Sequence, residues 1–436
     1  MNPLYIRFAA ILFCSIFSVA AGAQQVPAGF RAELVAEGLQ QPIAIAFDGP
    51  NRIFVAEKTG AIRLIEDGIL RSAPFAQLEV HTFLECGVLG LALDPDFSNT
   101  HYVYVFATVS PEEQQIIRMT DMQGVGTEQT VIRGFLPTSG TLHNGGCLKV
   151  GPDGLLYFSI GDTENPDAAQ SLTSLSGAIS RINLDGSTPS SNPFETVTGA
   201  PRAQIAYGFR NPFRFDFMPD GRLFVLDIGS DLPARTEEIN LVSIGDNCGW
   251  PILEGANAEA EFAEFVPPAF TYVELGSAPT GALHYGATQF PEKYHDDFFH
   301  ADYVSNAIYH VEVDGAAITR HEKFAQLDGG PVDLALSPDG SIYVAEVISG
   351  RIERIVFADE DAGNENSSST NANVGSVANA NEDRANTNSG DGNHGGNGPV
   401  PSAPCAAPLA ALLGWCGFVA QRRFRSRPWR ASRADC

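Results

Sequence analysis

The sequence has few positive charges, and this shortage argues against nucleic acid as a partner. It contains 27 Lys and Arg residues against 52 Asp and Glu, for a formal net charge of -25 at pH 7. Six arginines lie within residues 422–433, so the rest of the chain is more acidic still. Proteins that bind nucleic acid neutralise phosphates with Lys and Arg, which this chain supplies sparsely. The acidic surface is equally compatible with solubility alone.

Cysteine is also scarce and is not spaced for metal binding. Seven cysteines are present and none forms a Cys-x-x-Cys pair, so a structural zinc site has no support. Three of them, Cys86, Cys147 and Cys248, lie in the central part of the chain. Two of these three can pair in an oxidising compartment, but the sequence does not indicate which two.

Long apolar runs are missing, and a short one lies near the start of the chain. Residues 8–19 form an apolar stretch that follows Arg7 and precedes Ala21-Gly22-Ala23. This is the pattern of a secretory signal peptide, which we place at 1–23. We therefore expect an exported protein of the periplasm, the cell envelope or the extracellular space.

The C-terminal region differs in composition from the rest. Residues 358–404 are rich in Asn, Gly, Ser and acidic groups and predict a disordered linker. Residues 405–436 contain an apolar run at 406–420, interrupted by Pro408, and then the arginine cluster. The run is shorter than the roughly 20 residues of a transmembrane helix, although the positive charges after it are typical of a cytoplasmic stop. Three interpretations stay open: a C-terminal sorting signal, a permanent anchor that tethers the protein to the membrane, and an accessory hydrophobic tail.

Glycine and proline are abundant, with 43 and 28 copies, and they mark the turns of one repeated pattern. An apolar alternating run leads into a turn built on Asp-Gly or Pro-Asp, and then into a second run rich in Val, Ile, Tyr and Phe. Proline presets one backbone angle of such a turn and glycine accepts the positive φ that tight hairpins need. The six copies lie at 44–55, 91–105, 148–158, 215–225, 298–313 and 334–344.

This repetition predicts an all-β fold. Six like hairpins, each followed by further strand-forming sequence, favour a six-bladed β-propeller of four-stranded antiparallel blades over residues 29–357. A β-sandwich is the alternative. A sandwich has no reason to repeat the same hairpin six times.

The most specific segment lies at 142–162. It contains His-Asn-Gly-Gly, then Gly-Pro-Asp-Gly, then Gly-Asp. It resembles the glucose/sorbosone dehydrogenase family of soluble quinoproteins, whose members carry His-x-Gly-Gly before a Gly-Pro-Asp-Gly hairpin that ends in Gly-Asp. The similarity extends over about 29–357, and further pieces agree in order. These pieces lie at 87–97, 207–212, 237–241 and 247–251.

The resemblance implies an enzyme that oxidises an aldose sugar at its anomeric carbon with pyrroloquinoline quinone (PQQ) and Ca²⁺, and passes electrons to a membrane acceptor. It implies that His143 is the general base, a task that suits an imidazole at neutral pH. Asp162 is expected to orient that ring, Arg210 to contact the quinone oxygens where negative charge grows, and Asn211 to add a hydrogen bond. Backbone oxygens and carboxylates are suitable Ca²⁺ ligands. The expected metal residues are Gly229, Ser230, Glu237 and Glu238.

Three positions depart from the family pattern. Glu85 stands where these enzymes place a Gln near the quinone, and a carboxylate repels an anionic cofactor unless it is protonated or paired with a cation. Gly229-Ser230 replaces a Gly-Pro pair, and Cys248 replaces an aromatic residue before Gly-Trp-Pro. Glu85 also occurs in the branch of the family that resembles hedgehog-interacting proteins, some of which bind partners.

Each candidate residue has a structural alternative. His143 can cap a turn, Asp162 can accept backbone amides, and Arg210 with Asn211 can form a hydrogen-bonded pair between blades. Glu237 and Glu238 can form a solvated edge. For the whole protein, the alternative to a sugar dehydrogenase is a non-catalytic propeller that binds a carbohydrate or protein partner.

Overall fold

The computed structural model describes residues 24–196, 198–199, 202–230, 236–256, 263–272 and 277–358. The predicted signal peptide and C-terminal tail lie outside these residues, as does the predicted linker after residue 358. Within the described ranges, no helix combines the length and apolarity needed to cross a membrane.

Six antiparallel sheets follow one another along the chain, which confirms the predicted six-bladed propeller. The first strand, β1 (Phe30–Ala36), belongs to the last blade. Blade 1 contains β2 (Pro42–Phe47), β3 (Arg52–Glu57), β4 (Ala61–Glu66), β5 (Ile69–Leu70) and β6 (Ala76–Gln77). Blade 2 contains β7 (Val88–Leu93), β8 (Tyr102–Ser110), β9 (Glu113–Asp121) and β10 (Gly126–Leu136), with the short helix α1 (Phe97–Thr100) between its first two strands.

The remaining blades repeat the same order. Blade 3 contains β11 (Leu148–Val150), β12 (Leu156–Ile160), β13 (Ala178–Ile182) and β14 (Gln204–Tyr207). Blade 4 contains β15 (Pro212–Phe217), β16 (Leu223–Asp227), β17 (Glu237–Val242) and β18 (Phe270–Tyr272). Blade 5 contains β19 (Pro279–His284), β20 (Phe298–Asp302), β21 (Ala307–Asp314) and β22 (Ala317–Gln326), and blade 6 contains β23 (Pro331–Leu336), β24 (Ile342–Glu346) and β25 (Arg351–Phe357). Short 3-10 turns lie at Pro166–Gln170 and Glu292–Tyr294.

The ring closes because the first strand completes the last blade. β1 pairs antiparallel with β25, and Phe30 is directly opposite Phe357. The inner strands of the blades lie side by side around a central channel. This pairing supplies the fourth, outermost strand of blade 6 and joins the start of the propeller to its end.

One of the six predicted hairpins is misplaced. The copy at 298–313 joins β20 to β21, whereas the inner hairpin of blade 5 joins β19 to β20. That inner connection includes the 3-10 turn Glu292–Tyr294 and lacks the Asp-Gly or Pro-Asp turn that marks the other copies. The other five copies coincide with the first two strands of their blades.

A buried arginine ties several blades together across the channel. The guanidinium of Arg214, only 2% exposed, donates to the carbonyl oxygens of Ile43 (2.7 Å) and Leu89 (3.1 Å) and to the Asp333 carboxylate (3.1 Å). These partners belong to blades 1, 2 and 6, whereas Arg214 belongs to blade 4. A buried ion pair with satisfied hydrogen bonds is costly to break, so Arg214 fixes the relative positions of the inner strands.

Buried carboxylates anchor the loops at one mouth of the channel. Glu57, Asp227 and Asp302 are the last residues of the second strands β3, β16 and β20. Each accepts a backbone N–H from the loop before the inner strand of its own blade; Gln40 N donates to Glu57 (2.8 Å) and Ala278 N to Asp302 (3.0 Å). These loops are therefore held in place on the face where the candidate site lies.

Candidate active site

The predicted catalytic residues meet on one face of the propeller. His143 precedes the inner strand β11, Arg210 precedes β15, and Asp162 follows the second strand β12. In antiparallel blades the first strand starts where the second strand ends, so these loops share a face. Residues that are distant along the chain are brought together there.

His143 and Asp162 form a tight dyad. The Nδ1 atom of His143 lies 2.6 Å from Oδ1 of Asp162. Asp162 is 1% exposed, and its two oxygens also accept the backbone N–H of Glu164 (2.9 Å) and the indole N–H of Trp250 (3.0 Å). Because an ionised carboxylate only accepts hydrogen bonds, the proton of a neutral His143 resides on Nδ1 and Nε2 carries the lone pair.

The backbone of His143 has an unusual conformation, and contacts of both its N–H and its carbonyl hold it in place. Its φ angle of 56° lies in the left-handed region, which is costly for a residue other than glycine. Its N–H donates to Oε2 of Glu85 at 2.7 Å. Its carbonyl lies so close to Gly161 that a Cβ there would stand 2.3 Å from the oxygen, so this position requires glycine. The ring is thus held by its loop as well as by Asp162.

Trp250 is a site residue that the sequence identified as part of a motif but gave no role. Besides its hydrogen bond to Asp162, its ring faces the Arg210 guanidinium, whose carbon lies 5.9 Å from the ring centroid. Arg210 is buried and donates from Nη1 to the carbonyl of Ile228 at 3.0 Å. Trp250 therefore connects the predicted base to the predicted anion-stabilising arginine, at a distance where a cation and an aromatic ring attract each other.

Asn211 joins blade 4 to the loop before the inner strand of blade 3, through Gly145 and not through Arg210. Its Oδ1 accepts the backbone N–H of Gly145 (3.1 Å), and its Nδ2 donates to Oε2 of Glu85 (3.4 Å). One carboxylate oxygen of Glu85 thus receives both the His143 backbone and the Asn211 side chain. The Glu85 side chain therefore links the His143 loop to Asn211.

A buried lysine lies close to Glu85. Lys58 is 6% exposed and donates to the carbonyl of Thr82 at 3.1 Å. Burial lowers the pKa of Lys58, an effect that the nearby Cys86 and Glu85 oppose. Sequence analysis missed Lys58, a buried basic side chain close enough to Glu85 for their charges to interact.

Blade 4 carries buried carboxylates beneath the site. Asp227 accepts the backbone N–H groups of Arg210 (2.9 Å) and Asn211 (2.6 Å). It lies directly opposite Glu238, which is on the neighbouring strand β17. Burial raises the pKa of both, Asp227 well above its usual range and Glu238 to about 7. The charge of Glu238 adds to the shift of Asp227, and the charges of Glu254 and Glu237 add to that of Glu238. Such a pair suits a nearby cation.

The four predicted metal residues are neighbours but do not converge as one set of side chains. Glu237 accepts the N–H of Gly229 (2.9 Å), whereas Glu238 accepts the N–H of Gly255 (2.6 Å). Adjacent residues of a strand point to opposite faces, so one ion does not receive both carboxylates directly. Ser230 instead contacts Glu254, through its N–H (2.6 Å) and its hydroxyl (2.8 Å).

Two expectations about exposure and pairing are wrong. Glu237 and Glu238 are buried, so the solvated-edge alternative fails. The three cysteines of the described chain, Cys86, Cys147 and Cys248, are all buried free thiols, so no disulfide joins any two of them. Burial raises the pKa of each thiol.

A cavity of about 1030 Å³ opens at the opposite end of the channel from His143. It is lined by the later parts of the inner strands and the turns after them, including Lys149, Asp216 and His284. Lys149 and Asp216 form an ion pair at 2.9 Å there. The site residues lie at the other mouth, so cavity size alone does not locate them.

Comparison with known proteins identifies what this architecture is similar to. The family model for Glucose / Sorbosone dehydrogenase matches residues 39–354. Aldose sugar dehydrogenase YliI of Escherichia coli is 26% identical over 339 residues, which cover 73% of this chain and 90% of that protein. Quinoprotein glucose dehydrogenase B of Acinetobacter calcoaceticus is 30% identical over 269 residues, which cover 54% of this chain and 55% of that one.

A solved structure and a more distant relative complete the comparison. The PQQ-bound aldose sugar dehydrogenase of Streptomyces coelicolor superposes with a TM-score of 0.63 at 24% identity, over 76% of this chain and 99% of that one, which supports the fold. Mouse hedgehog-interacting protein is 27% identical over 215 residues, which cover 41% of this chain and 30% of that protein.

Proposed function

The chain belongs to the glucose/sorbosone dehydrogenase family, and on that premise we propose that it is a quinoprotein that oxidises an aldose sugar at its anomeric carbon. The observation that carries the proposal is the dyad of His143 and Asp162, with Arg210 and Asn211 around it on one face. A base, its orienting carboxylate and donors for developing negative charge are the parts that this reaction needs.

His143 acts as the general base in this proposal. Asp162 keeps the Nδ1 proton in place, so Nε2 is the atom that takes the proton of the sugar's anomeric hydroxyl as the carbon gives up its hydrogen with two electrons. The carboxylate then stabilises the imidazolium that forms. Trp250 fixes the orientation of Asp162 through its indole N–H.

The residues present are chemically suited to PQQ, which supplies a two-electron hydride acceptor when bound. PQQ is a tricarboxylate, and the site offers the guanidinium of Arg210, the amide of Asn211 and the ammonium of Lys58 as donors. Lys58 also offsets the charge of Glu85, the position where the family pattern has a neutral side chain.

Ca²⁺ suits the carboxylate-rich part of blade 4. Glu238 and the backbone oxygens of Gly229 and Ser230 are hard oxygen ligands, and the buried Asp227 adds a carboxyl group beside them whose ionisation a cation would favour. Glu237 is assigned a structural role because it accepts the N–H of Gly229. We further propose that the protein acts after export, in the periplasm or at the cell envelope, and passes electrons to a membrane acceptor, with the C-terminal tail providing membrane contact.

The proposal is tested by reconstitution. Purified chain is titrated with PQQ in the presence of Ca²⁺ by calorimetry, and reduction of an artificial dye is then followed with a panel of aldoses. We expect PQQ to bind, and we expect aldose-dependent dye reduction that is lost when PQQ is left out. Undetectable PQQ binding together with no dye reduction for any sugar would favour the alternative, a propeller that binds a carbohydrate or protein without catalysis.

A further inference from the structure

A histidine and three carboxylates share one face of blade 5, outside the site described above. His310 lies on β21, and its cross-strand partner on β22 is Glu322. Glu312 is two residues after His310 and so points to the same face. Asp297 immediately precedes β20, on the other side of β21. One ligand atom from each of Asp297, His310 and Glu312 can be chosen so that all lie within 4.8 Å of one another.

The imidazole of His310 has a carboxylate facing each of its nitrogens. Nε2 lies 2.8 Å from Oδ2 of Asp297, which is a hydrogen-bond distance, so the ring proton resides on Nε2. Nδ1 then carries a lone pair. Nδ1 is buried, has no hydrogen-bond partner among the described residues, and faces Oε1 of Glu322 at 3.6 Å.

A buried nitrogen lone pair that faces a carboxylate oxygen needs a positive charge between the two atoms. His310 is 2% exposed, and it packs against the rings of Tyr294 and Phe299. Water therefore has little access to Nδ1. A separation of 3.6 Å is too long for a hydrogen bond, but it is the separation of two ligands that each lie about 2.0–2.2 Å from one metal ion at a roughly tetrahedral angle.

The excess of negative charge on this face also favours a bound cation. Among the described residues on it, Arg320 pairs with both Glu312 (2.7 Å) and Glu322 (3.3 Å). This one cation thus pairs with two of the three carboxylates, and the third, Asp297, is bonded to His310. Arg320 and Glu322 are about half exposed, so their side chains can move to admit an ion at little cost in packing.

We propose that this face of blade 5 binds a divalent cation of the zinc class through Nδ1 of His310 and the carboxylates of Glu312 and Glu322. Imidazole with carboxylates is a ligand set that Zn²⁺ accepts. Asp297 is a positioning residue, since a carboxylate on the far nitrogen of a ligating histidine fixes its tautomer and raises its basicity. The site is separate from the dyad of His143 and Asp162, which belongs to blade 3.

The test uses the full-length purified chain, stripped of metals with a chelator and then kept in excess Ca²⁺ so that carboxylate sites elsewhere are filled. ZnCl₂ is titrated by calorimetry. Wild type is expected to bind one Zn²⁺. The affinity for this ion is expected to fall at least about tenfold in Glu322→Gln and about 10–100-fold in Asp297→Asn. Glu292→Gln, an exposed change on the same blade, is the matched control and is expected to bind as wild type.

A spectroscopic measurement distinguishes this site from loose surface binding. Co²⁺ in place of zinc is expected to give visible absorption bands of low-symmetry coordination in wild type and in Glu292→Gln, and to lose them in Glu322→Gln. Since Glu322 is half exposed, the variant is expected to fold, which its thermal transition checks. Absence of zinc binding in wild type, or equal affinity in wild type and Glu322→Gln, would overturn the proposal.

Discussion

The Nδ1 atom of His143 lies 2.6 Å from Oδ1 of Asp162, and only the histidine of this pair reaches solvent. The side chain of His143 is 13% exposed and that of Asp162 is 1% exposed. The Asp162 carboxylate is therefore shielded from solvent, whereas the His143 imidazole presents one edge to the face where substrate must arrive. This asymmetry assigns the proton-accepting task to His143 and the orienting task to Asp162.

Replacement of Asp162 tests the orienting role. Both Asp162 oxygens accept hydrogen bonds, and an amide has a single acceptor oxygen, so Asp162→Asn cannot serve Glu164, Trp250 and His143 together. We expect kcat to fall by about 10²–10⁴-fold, with a smaller change in KM. Asp167→Asn, in the exposed 3-10 turn nearby, is the control and should keep wild-type kcat. Equal rates for the two variants would contradict the role of Asp162.

Replacement of Glu85 tests whether its negative charge weakens the binding of the anionic cofactor. The carbonyl of Glu85→Gln can still accept the His143 N–H, so the loop conformation should be kept while one negative charge is removed. We expect the Kd for PQQ to decrease by about tenfold, or about 1.4 kcal/mol. Glu85→Ala should instead disorder the His143 loop and lower kcat. Weaker PQQ binding by Glu85→Gln would show that the carboxylate contributes a favourable contact.

Arg214 should be a major determinant of stability. Arg214→Ala leaves Asp333 buried without its cation and removes hydrogen bonds to two other blades. Breaking a buried ion pair costs about 3–5 kcal/mol, so we expect the free energy of unfolding to fall by that amount. Arg31→Ala, which alters an exposed arginine of β1, should change it by less than about 1 kcal/mol. Urea denaturation monitored by fluorescence compares the two, and similar midpoints would refute the inter-blade role.

His300 should make the stability of blade 5 depend on pH. Its Nδ1 lies 3.0 Å from the carbonyl oxygen of Ala301, and its Nε2 lies 2.8 Å from Nε2 of His321. The ring of Tyr309 stacks on it, and burial lowers its pKa from 6.5 to about 4. The folded state therefore binds fewer protons than the unfolded state between those two values.

Acidification should consequently destabilise the protein through His300. Stability from this residue is complete above pH 6.5 and is lost as the pH falls toward 4, by about 3 kcal/mol in all. His300→Gln should show a shallower decline of the unfolding free energy over that window than wild type. Guanidinium denaturation at several pH values measures the slopes. Parallel slopes would mean that His300 is not the group responsible.

Much of the fold was predictable because its signals are local. The hairpins at 148–158, 215–225 and 334–344 each contain Pro-Asp-Gly between two apolar runs, and a turn of that kind depends on its own residues. Blade 5 was misplaced by one hairpin because its inner turn is a longer loop without this signal. An alignment of the internal repeats would also have shown the acidic residue that ends β3, β16, β20 and β24.

The site was only partly predictable because its contacts join distant parts of the chain. Motif similarity identified His143 and Asp162, but the bond from Glu85 to the His143 backbone spans 58 residues and that from Trp250 to Asp162 spans 88. No local pattern encodes such pairings, since they depend on how blades pack. The metal prediction placed Glu237 with Glu238, whereas strand alternation separates their side chains.

The most direct test of the central claim, that His143 takes a proton from an aldose as its anomeric hydrogen leaves, is a kinetic isotope measurement on PQQ-loaded protein. Dye reduction is followed with an active aldose and with the same sugar deuterated at C1, in wild type and in His143→Ala. We predict a primary deuterium isotope effect in wild type and loss of turnover in His143→Ala without loss of PQQ binding or thermal stability. Turnover that persists in His143→Ala, or that is insensitive to deuterium in single-turnover conditions, would contradict the account.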